Sequence, residues 1–228
     1  MEFNRMARGL AFAAALMGAA LSGAQAQTVK IGVIAPLTGP GAPWGIAMAQ
    51  AARIAAADAN ARGGVNLSGT RYKVEVIAYD DQYKAAEAVA AYNRLVRQDG
   101  VKYLMTLSSA SMMAVKDAVE SEKIVTVTGA YAAKAIDEKT KYVFRTFSTS
   151  HNYMKPLVDW MKVNLKERRI AIINANDETG WDQAQLAEKS YKEGGFTVAA
   201  SPTRMCVQAC VWLATLRWQA SSQAAGSR

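Results

Sequence analysis

Val29-Lys30-Ile31-Gly32-Val33-Ile34-Ala35-Pro36 is a short, β-branched, nearly unbroken apolar run halted by proline. A strand with one face in water alternates polar and apolar residues; a run like this one is a strand buried on both faces. The proline ends it by withdrawing the next ladder donor. The residues that follow change period. From Gly45 to Arg62 the chain is alanine-rich and helical, and Gly63-Gly64 suit a left-handed close to that helix. Strand then helix, each short, is the first unit of an alternating pattern.

The unit repeats downstream. Tyr72 to Tyr79 alternates Val74, Val76 and Ala78 with Lys73, Glu75 and Ile77, and stops at Asp80-Asp81. Ala85, Ala88, Val89, Tyr92, Leu95 and Val96 recur at helical spacing, and Asp99-Gly100 ends that helix. Tyr103–Leu107 predicts a third strand, Met112–Ser121 a third helix and Ile124–Thr128 a fourth strand, with a strand-like Tyr142-Val143-Phe144-Arg145-Thr146 after it. Past a break at Phe147-Ser148-Thr149 the pattern starts again. Met154, Leu157, Val158, Met161 and Leu165 form one stripe, Arg169–Ile173 a strand, Gln183–Glu193 a helix and Phe196–Ala200 a strand. Strands alternating with helices imply an α/β fold of doubly wound parallel sheets. The break divides it into two lobes, residues 27–147 and a partial second lobe at 148–200.

Composition narrows the function. With 51% apolar and 20% charged residues, the 228-residue chain is neither disordered nor a disulfide miniprotein. A single histidine, His151, leaves little room for a multi-histidine metal site. The formal net charge of +8 owes much to the two ends: Arg5 and Arg8 against Glu2 at the start, and Arg204, Arg217 and Arg228 with no acid after Ser201. The charges between are mixed, so no nucleic-acid face is expected. Residues 1–26 read as a secretory signal peptide: a basic start, an apolar run from Gly9 to Leu21, and small residues Ala24 and Ala26 before Gln27. The run falls short of the about 20 apolar residues that cross a bilayer. Export to a periplasm is the expectation.

In an open parallel sheet ligands lie beyond the carboxyl ends of the strands. Glycines 39, 41 and 45 miss the dinucleotide spacing by one, no G-K-[ST] follows, and Pro40 and Pro43 remove amide donors. A phosphate cradle is therefore disfavoured, and a rigid turn that presents Trp44 beside a cleft, or packs it under its own helix, remains. Ser108 and Ser109 begin a helix straight after a buried strand, where free amides, the helix dipole and hydroxyls together attract an anion. One of those serines also serves as the cap. Ser111 is taken as an exposed helix position. Asp80 and Asp81, adjacent on a strand, point to opposite sides and serve the turn and the next helix's cap rather than an acid–base dyad. His151 is a cap-region surface residue. Asp177, Glu178 and Asp182 cluster where an ammonium group or a helix start would find them. No cofactor, metal site or activated nucleophile is indicated, and no enzyme is expected.

Taken together, several stretches have a familiar order. They are Ile31-Gly32-Val33 with Leu37-Thr38-Gly39-Pro40, Trp44-Gly45, Asp58-Ala59-Asn60-Ala61-Arg62-Gly63-Gly64-Val65, Tyr79-Asp80-Asp81, Asp99-Gly100-Val101-Lys102-Tyr103, Phe144-Arg145-Thr146 and Arg169-Ile170-Ala171-Ile172-Ile173. From about Val29 to Ala200 the chain resembles the periplasmic leucine/isoleucine/valine-binding proteins, the hydrophobic amino-acid branch of ABC-transporter substrate-binding proteins, with their type I two-lobed fold. The resemblance implies a solute-binding protein that delivers an amino acid or related small carboxylate to an ABC permease of the inner membrane. It also implies the site: Leu107, Ser108 and Ser109 for the carboxylate, Ala130, Tyr131 and Ala132 for ammonium and backbone contacts, Trp44 over the side chain, and Thr179 from the second lobe.

Two departures bear on the ligand. Ala132 stands where the branched-chain binders usually carry threonine, and Thr179 where they carry tyrosine, which brings aromatic acids and amides into contention. A third concerns length. The match ends near Ala200 with the second lobe incomplete, and residues 201–228 read as a frameshifted or truncated end holding Cys206, Cys210, Trp212 and Trp218. The pair C-x3-C has no specific metal or redox meaning. A chain ending so is expected to bind weakly and to aggregate. The other functions considered are a ligand-sensing receptor domain on the same fold and a nucleotide-dependent enzyme on a Rossmann-like one.

Overall fold

A computed structural model describes residues 27–146 and 148–201. The expected signal peptide and the tail with its cysteines and tryptophans lie outside the described residues. In chain order the elements are β1 (Thr28–Ala35), α1 (Ala42–Ala61), β2 (Val65–Leu67), β3 (Thr70–Asp80), α2 (Ala85–Asn93), β4 (Tyr103–Thr106), α3 (Ser109–Glu122), β5 (Val125–Thr128) and β6 (Val143–Arg145). After them come α4 (Ser150–Asn164), β7 (Arg169–Ala171), α5 (Glu178–Glu193) and β8 (Thr197–Ala200). A π-turn, Arg94–Gln98, prolongs α2, and a short 3-10 turn, Ala133–Ala135, follows β5.

The first sheet has six strands in the order β2-β3-β1-β4-β5-β6. All its pairings are parallel except the edge hairpin of β2 on β3. The hairpin was not foreseen; Asn66 and Gly69 make its turn, Asn66 Oδ1 accepting the Gly69 N–H at 2.8 Å. The central strand explains the opening run of the sequence. Val33 and Ala35 pack with Ala49 of α1 on one face, while Ile34 packs with Ala88, Tyr92, Leu95 and Leu104 on the other, beneath α2 and α3. Both faces are covered, so both are apolar. From β1 the chain steps outward to β3, then returns across β1 to β4. The direction of winding therefore reverses between β1 and β4, and the loops after these two strands part there.

The second sheet has two parallel strands, β7 and β8, with Ile170 opposite Val198. Its core is small: Met154 and Val158 of α4, Ala187 of α5 and Phe196. α5 begins five residues earlier than the periodicity placed it, because Asp177 caps it by accepting the Gly180 N–H at 2.7 Å. Among the described residues no helix is long and apolar enough to cross a membrane.

Two glycines let helices start close to the strands that feed them. A Cβ on Gly45 in the first turns of α1 would collide with the Pro36 carbonyl, and one on Gly180 in α5 with the Ala175 carbonyl. Backbone cannot step aside as a flexible side chain can. Gly45→Ala is therefore expected to destabilise the protein by about 1–3 kcal/mol, read as a lowered midpoint in urea unfolding. Gly39→Ala is the control. It meets no neighbouring atom, and its positive φ of 75° alone limits it to a smaller loss.

Candidate functional site

The cleft lies where the winding reverses. Trp44, Tyr83, Leu107, Ser108, Gly129, Tyr131 and Thr179 line a space of about 510 Å³. Loops after β3, β4 and β5 supply Tyr83, Leu107, Ser108, Gly129 and Tyr131, while Trp44 comes from the first turn of α1 and Thr179 from the first turn of α5. A neighbouring concavity of about 520 Å³ shares Tyr83 and Thr179 and continues over β7 and α5.

Its frame is built from two adjacent carboxylates. Asp80 accepts the Leu37 N–H and the Gln82 N–H, each at 2.8 Å, and the Thr38 hydroxyl at 2.5 Å. Burial pushes the Asp80 carboxyl up, but these donors outweigh it and hold the group below its ordinary value. Asp81 faces the other way and is fully buried. It accepts the Ser111 hydroxyl at 2.5 Å and the Tyr83 N–H at 2.9 Å. Here burial prevails, and the Asp81 carboxyl is raised above its ordinary 3.8 although both donors pull it back. The turn was foreseen; a cap for the next helix was not realised, since Lys84 takes that place without a side-chain bond.

Ser111 corrects the sequence reading. Far from exposed, it has no accessible surface, and its hydroxyl lies 2.6 Å from that of Ser108. Ser108 caps α3, accepting the Ser111 N–H at 3.0 Å. One hydroxyl of the serine run is thus a cap, a second belongs to Asp81, and Ser109 has a third duty. Its Oγ accepts the N–H groups of Tyr131 at 3.0 Å and Ala132 at 3.1 Å, and the Thr179 hydroxyl at 2.7 Å. The two adjacent amides and the Thr179 hydroxyl fill both lone pairs of this oxygen and leave Ser109 only its own proton to give.

Of the residues singled out from sequence, Trp44, Leu107, Ser108, Tyr131 and Thr179 line the cleft. Ser109 stands directly behind the wall, 1% exposed, and Ala130 and Ala132 are buried beside it. The Ala130 N–H goes to Thr128 Oγ1 at 3.0 Å, and the Ala132 carbonyl accepts from Arg145 Nη2 at 2.8 Å. Burial lowers the Arg145 pKa and the Asp182 carboxylate partly restores it. Asp182 also accepts the Ala133 N–H at 3.3 Å and lies 3.3 Å from His151 Nε2. Asp177, Glu178 and Asp182 are thus a cap, a first-turn acid and a link to the first sheet.

Tyr83 was missed. Gln82 and Tyr83 both have positive φ, 48° and 61°, a conformation non-glycine residues seldom adopt. Asp81 holds it through the turn it makes with the Tyr83 N–H. An aromatic two residues after a strand-end aspartate was the available signal. Burial raises the Tyr83 phenol, and the Asp177 carboxylate adds to the effect. Among the described residues no cluster of three or more His, Cys, Asp or Glu side chains is placed to hold a metal ion.

The comparisons agree with this architecture. A family model described as periplasmic binding protein matches residues 28–204, and the chain belongs to that family. The Leu/Ile/Val/Thr-binding protein of Salmonella typhimurium is 31% identical over 175 residues, which are 76% of this chain and 47% of that protein. Among solved structures, the fatty acid ABC transporter substrate-binding protein from Thermomonospora curvata has a TM-score of 0.70 at 25% identity, covering 84% of this chain and 49% of the other. A solute binding protein of an ABC transporter from Rhodopseudomonas palustris HaA2, in complex with p-hydroxybenzoic acid, has a TM-score of 0.63 at 26% identity, covering 76% and 46%. The chain spans about half the length of the curated relatives it matches.

The Asp81–Ser111 bond has a pH signature. A carboxyl raised on folding adds stability at low pH, below its ordinary 3.8, and loses it as pH rises through the folded value. Ser111→Ala removes a donor to the charged form and raises that value further. The variant is expected to lose about 1–3 kcal/mol at neutral pH. Less is lost as the pH falls toward 4. Urea unfolding of both proteins between pH 4 and 7 measures the difference; a pH-independent loss would mean Ser111 acts only through Ser108.

Proposed function

We propose that the chain is the ligand-capturing part of an extracytoplasmic solute-binding protein, exported by residues 1–26. It takes up an amino acid or related small carboxylate and presents it to an inner-membrane ABC permease. Residues 27–147 form the first lobe and 148–200 part of the second, and the ligand lies between them. The observation that carries this reading is the cleft at the winding reversal, walled by loops of the first sheet and by Thr179 from beside the second. The start of α3 supplies the anion-binding element. Its first amides have no partner within the helix, and its dipole favours negative charge. Leu107 and Ser109 complete the carboxylate end, Ala130, Tyr131 and Ala132 flank it, and Trp44 closes over the body of the ligand.

The relatives support the chemistry. One is named for leucine, isoleucine, valine and threonine, another was solved with p-hydroxybenzoic acid, and a third is named for fatty acids. A carboxylate is common to all these ligands. No phosphate loop or activated nucleophile accompanies the cleft in the sequence, which favours capture over chemistry.

Thermal-shift measurements on the secreted chain with leucine, valine, benzoate, NAD and ATP test the proposal. A rise in Tm with at least one carboxylate and none with the nucleotides is expected; stabilisation by a nucleotide alone would overturn it. Ser109→Ala should then weaken the stabilising carboxylate at least tenfold, since a hydrogen bond to a charged group contributes about 1.5–3 kcal/mol. Isothermal calorimetry reads the change.

A further inference from the structure

We infer that the cleft selects an aromatic monocarboxylate over an α-amino acid, an inference that rests on the solute-binding reading above. Three aromatic side chains, Trp44, Tyr83 and Tyr131, stand on its walls. Trp44 is 75% exposed, so folding leaves most of it available to something else. Flat, polarisable walls suit a flat, polarisable ligand, which packs edge-on or offset against them.

The polar end accepts an anion but not a cation. An α-amino acid brings an ammonium group that must find a carboxylate or several free carbonyls once it leaves water. None of the described residues that line the cleft carries a formal charge. The acids nearby are engaged. Asp81 is buried and holds Ser111 and the Tyr83 N–H, and Asp177, on the wall of the adjoining concavity, caps α5 through Gly180 and meets the Tyr83 phenol. The Ala132 carbonyl, at the turn where an ammonium contact was expected, already receives the Arg145 guanidinium. Arg145 places a positive charge behind that turn, so a second cation there meets repulsion where an anion meets attraction. Asp182 offsets part of that charge but is itself tied to Ala133 and His151. Ser108 gives its proton to Ser111, so the first amides of α3 are what remain for a carboxylate. Together these features fit a ring with one acid group and no amine.

Isothermal calorimetry of the secreted chain with sodium benzoate, leucine and benzyl alcohol tests this. Benzoate is expected to bind at least tenfold more tightly than either of the others. Trp44→Ala, at a position exposed enough to leave folding intact, should weaken benzoate at least fivefold, and Trp44→Phe should restore most of it. Leucine binding as tightly as benzoate would overturn the inference and leave the solute-binding reading standing. Benzyl alcohol matching benzoate, or Trp44→Ala without effect, would also overturn it. Failure of benzoate and leucine alike would remove both readings.

Discussion

A carboxylate with no exposure, Asp81, holds the cleft in shape. Asp81 stands just past the end of β3, and its two acceptor oxygens reach β4 and α3 through the Ser111 hydroxyl and the loop that turns Tyr83 into the cleft. Its own N–H donates to the Ala35 carbonyl at the end of β1. A buried charge has to be matched by donors, because the desolvation it suffers exceeds what any single hydrogen bond returns. The matching here is local, short of what burial takes away, and it consumes most of the serine run. Asp80, pointing the opposite way because successive strand residues do, ties down Leu37 and Thr38 of the first loop. Two neighbouring aspartates thus position the loops on either side of the winding reversal without either one lining the cleft.

Ser109 does for the second sheet what Asp81 does for the first. Thr179 reaches it from α5, and Asp182, one helical turn on, receives the Ala133 N–H. These links are polar, and the apolar clusters on either side do not merge across them. Hydrogen bonds exchange with water at small net cost, whereas separating packed apolar surface is expensive. A junction made this way aligns the two pieces yet leaves them able to part.

The periodicities that set both sheets were legible because burial on two faces leaves a continuous apolar run, and burial on one leaves a stripe. Val33, Ile34 and Ala35 could hardly be anything else. The site was legible only in part. Sequence placed Ser108 at a helix start, and it caps α3 on the wall of the cleft. It could not separate the duties of Ser108, Ser109 and Ser111, since which hydroxyl turns inward depends on the helix's rotation about its axis and on Asp81, thirty residues earlier. Tyr83 was hidden for a related reason: its direction comes from left-handed backbone at Gln82 and Tyr83, which neither residue type favours. The β2–β3 hairpin escaped because three residues are too few to show a period.

The position of Trp44 follows from its neighbour. Gly45 is pressed against the Pro36 carbonyl so closely that no Cβ fits, which fixes the first turn of α1 to the end of β1. Consecutive helix residues are about 100° apart around the axis. With Gly45 turned inward, Trp44 is carried to the outside, and it is 75% exposed while Gly45 is buried. Pro43 stiffens the same turn. An indole held on a rigid turn loses little conformational freedom when something packs against it, because only two side-chain torsions remain to be fixed. The close packing that makes this corner intolerant of a methyl group is therefore also what readies its one exposed ring for a partner.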